Sequence, residues 1–136
     1  MVVVHNQHPT RRFPVNVAVS TVDLVLKDFG RSRDISVVFV NHARMRGLNR
    51  KFLNHDYSTD VMAFPFQDDV FPDGELYVNL DKAKSQAKEH GVTIGAEVRR
   101  LLIHGTLHLL GHKDASRAGR EKMKTLENKF LQMCHQ

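Results

Sequence analysis

The chain has 136 residues, 41% apolar and 26% charged, enough for one domain over residues 1–136 with a substantial core. Its one cysteine, Cys134, excludes an internal disulfide, no apolar run approaches the ~18 residues of a membrane span, and Met1 to His5 lack the apolar stretch of a secretory signal, so a reducing cytoplasm is the expected location. The formal net charge of +5 and a pI near 9.6 favour a polyanionic partner over a neutral one.

Taken in order, Val2 to Val4 read as a short strand. Phe13 to Phe29 carry apolar residues at helical spacing, and Gly30 can end that helix. Ile35 to Val40 are rich in β-branched residues and predict a buried strand. His42 to Leu53 predict a helix with Met45, Leu48, Phe52 and Leu53 inward. Asn54 to Asp60 form a polar loop, Val61 to Phe66 a strand, and Asp68 to Gly74 a turn-rich stretch. Glu75 to Leu80 alternate as a strand. Asp81 is placed to cap a helix that Gly91 ends after His90. Thr93 caps the next helix, which runs to about Leu110 and is apolar on nearly every side, so it belongs at the centre of the fold. A last helix is expected from Ala115 to Met133, with Met123, Leu126, Phe130 and Met133 inward. The fold class is α+β: a small mixed sheet of about four strands, several helices, and a central buried helix.

That central helix carries the chemistry. In His104-Gly105-Thr106-Leu107-His108-Leu109-Leu110-Gly111-His112-Lys113-Asp114 two histidines stand four apart. Residues at this spacing are offset by ~40° around a helix and ~6 Å along it, so both imidazoles can share one metal ion. Gly111 can take the left-handed conformation that ends a helix and turns the chain back. The third ligand is then Asp114 or His112. Asp114 is favoured because it has more chain after the turn; His112 would lie ~12 Å along a continued helix. A metal held there can lower the pKa of a bound water and make a nucleophile. The residue after the first histidine is Gly105, where His-Glu-x-x-His metalloproteases carry their general base. Hydrolysis is therefore expected, but not by the ordinary protease route.

The cations around this motif suit a phosphodiester. Arg44, Arg46, Arg50 and Lys51 fall close together, and Lys113, Arg117, Arg120, Lys122 and Lys124 follow the histidines. The remaining histidines carry less. His5, His8, His90 and His135 are expected to be solvated, His42 to stand near a helix start, and His55 to be a weak candidate in the polar loop.

These motifs together resemble the YbeY family of bacterial metal-dependent endoribonucleases. Residues 104 to 111 fit its His-Gly-x-Leu-His-Leu-x-Gly. Leu48-Asn49 and Asp56-Tyr57-Ser58-Thr59-Asp60-Val61-Met62-Ala63-Phe64-Pro65 are similar to its Leu-Asn and Asp-x-x-Thr-Asp-Val-Leu-Ser-Phe-Pro, and Gly74-Glu75-Leu76-Tyr77-Val78 to the strand that follows. The resemblance spans roughly residues 35 to 133. It implies one zinc ion per chain held by His104, His108 and the residue six positions later, which is Asp114 here where the family has histidine. Carboxylate is an acceptable zinc ligand, and it makes the bound water less acidic than three imidazoles would. His112 stands where tyrosine is frequent and is the candidate acid or base. Leu53 occupies the place of a family arginine, so Arg50, Lys51 or Lys113 would have to contact RNA phosphates instead.

The implied role is zinc-dependent cleavage of single-stranded RNA in rRNA maturation, notably at the 3′ end of small-subunit rRNA, and in ribosome quality control. The implied partners are rRNA precursor, the small ribosomal subunit and its assembly proteins, with neither membrane nor DNA. Two rivals are a metal-dependent peptidase with its substrate strand along Leu76 to Leu80, and an assembly factor with structural zinc and no turnover.

Overall fold

The computed structural model describes residues 1–56, 58–66 and 73–134. The elements are β1 (Val2–Asn6), α1 (Val15–Asp28), β2 (Ile35–Val40), α2 (His42–Leu48), a π-helical turn (Asn49–Leu53), β3 (Val61–Pro65), β4 (Gly74–Asn79), α3 (Leu80–His90), α4 (Ile94–Leu109) and α5 (Arg117–Cys134). The turn-rich stretch expected from Asp68 lies outside the described residues as far as position 72, as do Tyr57 and His135.

Alternation along the strands decides what each face of the sheet meets. Ile35, Val37 and Phe39 of β2, with Leu76 and Val78 of β4, point to one side and pack with Ala18, Val22 and Leu26 of α1 and Val98, Leu101 and Leu102 of α4. Val38 and Val40 point to the other side and meet Met45 and Leu48 of α2. The sheet is mixed, in the order β1-β2-β4-β3. β1, β2 and β4 are parallel, and β3 returns antiparallel along β4 with Val61 opposite Val78. β4 is therefore paired on both sides. The edge strands are β1 and β3, so the β4 residues Leu76 to Asn79 cannot accept a substrate strand as the peptidase reading expected.

α4 crosses this sheet and is itself covered. Ile103 and Leu107 pack with Val25 of α1 and Met123 and Phe130 of α5. Its N-terminus is capped as the sequence predicts, with Thr93 Oγ1 accepting from the Ala96 amide at 3.0 Å.

Three local expectations are corrected. The cap of α3 is Asn79, whose side-chain oxygen accepts from the amides of Asp81 and Lys82; Asp81 sits in the first turn. Phe52 and Leu53 are 54% and 47% exposed rather than inward. The turn that carries them is π-helical and ends in left-handed Asn54 (φ 57°), so the i, i+3, i+4 rule no longer predicts its inner face. His8 is buried rather than solvated: its Nε2 lies 2.7 Å from Asp81, and its Nδ1 accepts from the amides of Thr10 and Arg11.

Candidate metal centre

α4 ends in a hydrogen-bonded reversal. Gly111 adopts φ 95°, its amide donates to the His108 carbonyl, and the His112 amide donates to the Leu107 carbonyl. This is the Schellman arrangement, which caps the last carbonyls of a helix and sends the chain back. The returning loop is held close to α5. A Cβ on Gly119 would stand 2.5 Å from the Lys113 carbonyl oxygen, so only glycine lets the loop lie there.

The reversal brings Asp114 onto the histidine pair. The Nε2 atoms of His104 and His108 are 3.1 Å apart, and Asp114 Oδ2 is 3.4 Å from each. His104, His108 and Asp114 are the group of potential metal ligands found among the described residues. Ligands about 2.1 Å from a tetrahedral zinc ion are separated by about 3.4 Å, so these three atoms are spaced as three corners of that tetrahedron. The donor set suits a divalent metal, which these three residues would hold while leaving it open to water or substrate.

A residue the sequence reading missed fixes this geometry. His104 Nδ1 lies 2.6 Å from Oε2 of the nearly buried Glu127 on α5, a distance that requires the ring to donate its proton there. That leaves the Nε2 lone pair facing His108 and Asp114, the outer-partner arrangement typical of metal-ligating histidines. The other Glu127 oxygen accepts from Arg100 at 3.3 Å. Burial disfavours the charged His104 ring, but the Glu127 hydrogen bond and the charges of Glu127, Asp114 and Asp60 outweigh it, and the pKa is raised. No local signal marks Glu127. It reads as one more charged position of an amphipathic helix, and its partner is 23 residues away.

A groove of about 450 Å³ opens beside the centre, lined by β3 from Val61 to Pro65 and by His104, His108, His112 and Lys113. Gly105 forms part of its floor. A Cβ there would meet Leu76 Cδ2 at 2.8 Å and Val61 Cγ2 at 3.2 Å, so the helix touches the sheet where a protease would carry its glutamate. His112 lies outside the three-ligand group, its ring 5.1 Å from that of Phe29. Burial and the nearby Lys122 and His108 charges lower its pKa.

The other predicted cations stand off the groove. Arg50 lies 3.5 Å from Asp56, which also binds Arg46 through two nitrogens, and Lys51 sits 5.2 Å over the Phe52 ring. Leu53, at the place of the family arginine, lines the groove.

Comparison with known proteins agrees with the motifs. The chain is 33% identical over 138 residues to an Endoribonuclease YbeY of Salinibacter ruber, covering 94% of this chain and 88% of the relative. A relative of the same name from Carboxydothermus hydrogenoformans is 36% identical over 119 residues, 86% of this chain and 83% of its own. The solution structure of TM1509 from Thermotoga maritima superposes with a TM-score of 0.71 at 23% identity, over 98% of this chain and 89% of that one, and so shares the fold. The family model described as Endoribonuclease YbeY matches residues 5–135, and the chain belongs to that family.

Proposed function

We propose that this protein is a zinc-dependent endoribonuclease that cleaves single-stranded RNA during rRNA maturation in the cytoplasm, including the 3′ end of small-subunit rRNA, and that it serves ribosome quality control. The observation that carries the reading is the trio His104, His108 and Asp114, spaced 3.1, 3.4 and 3.4 Å apart, with both histidines in the wall of an open groove. Membership of an endoribonuclease family supports the substrate.

A bound zinc ion would supply Lewis-acid activation of water and charge stabilisation on the phosphate. The chain's residues do the rest. Glu127 holds His104 in the tautomer that leaves Nε2 free. His112, whose pKa is lowered by burial and by the nearby Lys122 and His108 charges, lines the groove and would accept a proton there. Lys113 lines the same groove and would hold a phosphate of the strand. Arg50 and Lys51 would reach RNA only outside the groove.

The test is cleavage of labelled single-stranded RNA with zinc, with chelator, and after zinc is restored. Cleavage that follows the metal supports the reading. RNA that is bound but uncut with zinc present would make the protein an assembly factor with a structural ion. The free edge of β3 along the groove favours one other activity, strand-wise binding of a peptide, and chelator-sensitive cleavage of casein would establish it.

A further inference from the structure

His104 faces two grooves, and the second is on the α5 side. It has a volume of about 480 Å³ and is lined by His90 and Arg100, by His104 and Asp114, and by Arg120, Met123, Lys124, Glu127 and Asn128. The trio therefore stands on the divide between the groove along β3 and this one.

The charges of the second groove are unbalanced in one direction. Arg100 is already bound by Glu97 and Glu127. Asp114 faces the histidine pair, and both oxygens of Glu127 are taken by Arg100 and His104. Arg120 and Lys124 remain. Neither is in an ion pair among the described residues. The Arg120 guanidinium is steadied by the Ala115 carbonyl at 3.1 Å. Glu121, the acid beside Arg120 in sequence, pairs with Arg117 instead. Like charges four apart on a helix repel, a cost that an anion between them reverses.

We propose that Arg120 and Lys124 form a phosphate subsite for the RNA strand on the far side of the metal centre. The strand enters along β3, crosses the His104–His108–Asp114 divide, and leaves over α5 with one backbone phosphate between the two cations. This rests on the endoribonuclease reading and adds the path of the substrate to it. The contact is to the backbone, so it carries affinity and direction but no base preference.

The experiment uses the zinc-loaded full chain and a short labelled single-stranded RNA, with binding read by stopped-flow anisotropy before cleavage. Arg120→Ala/Lys124→Ala is compared with Lys84→Ala/Lys88→Ala, an exposed pair at the same spacing on α3 that lines neither groove. Each neutralised phosphate contributes about 0.7 to the slope of log affinity against log salt for a single strand, so the first variant, which loses the one phosphate held between the two cations, should lower that slope by about 0.7. Its KM should rise while kcat stays within about twofold and zinc content is unchanged. The α3 variant should match wild type. Equal weakening of both variants, or an unchanged slope in the α5 variant while wild type binds and cuts, overturns the subsite and leaves the proposed activity intact. Wild type that neither binds nor cuts RNA overturns both.

Discussion

The two ends of α4 each hold a carboxylate among basic groups, and they differ in what is left over. Glu97, near the N-terminus, is 1% exposed. It accepts from Gln86 at 2.8 Å, from His90 at 3.2 Å and from two Arg100 nitrogens. Asp114, beside the C-terminus, has a side chain 40% exposed and, among the described residues, pairs with the two imidazoles alone, at 3.4 Å. A saturated buried carboxylate ties helices together, whereas an open one beside the Nε2 atoms of two imidazoles is free to take a cation. Glu127 joins the two ends, since it binds Arg100 with one oxygen and His104 with the other.

Arg100→Leu should break the closed end most severely. It leaves Glu97 buried without its main partner, and removing one member of a buried pair costs about 3–5 kcal/mol. Urea unfolding measures this. Asp114→Ala should do the reverse: stability of the metal-free protein within about 0.5 kcal/mol of wild type, as for an exposed substitution, but a large loss of zinc affinity in chelator competition. Glu127→Gln should lower zinc affinity by about 10–100-fold, the range for an outer partner of a ligating histidine, with less effect on folding than Arg100→Leu. Gly119→Ala should act on the open end more weakly, moving the Lys113 carbonyl and with it Asp114, so that zinc affinity falls less than in Asp114→Ala.

The closed end also predicts an acid limit. Burial disfavours the Glu97 carboxylate, but the Arg100 and Gln86 hydrogen bonds and the Arg100 charge outweigh this and lower its pKa. Its contribution is full above the ordinary glutamate value of about 4.3 and is lost as pH falls through the lowered one. Denaturant midpoints between about pH 3 and 7 should decline at the acid end, and Glu97→Gln should flatten that decline.

The same contrast explains what the sequence made legible. The His104–His108 pair and the Gly111 reversal obey rules of local chain geometry, and the relation of Asp114 to them spans only a short loop. Apolar alternation likewise gave the strands, and Thr93 the start of α4. What escaped depends on distant partners or on an irregular turn. His8 is buried because Asp81 meets it from 73 positions away. Glu127 and Gly119 serve the site from α5, and nothing in their own neighbourhood says so. Phe52 and Leu53 were misplaced because periodicity assumes a regular helix and the chain there takes a π turn.

Zinc content and affinity of wild type, His108→Ala and Asp114→Ala, measured on the same samples as cleavage of labelled single-stranded RNA, test the centre most directly. Wild type should bind one zinc ion per chain and cut, and both variants should remain folded while losing affinity and cleavage together. Variants that still bind zinc as wild type does would contradict the assignment of His104, His108 and Asp114 as the metal centre.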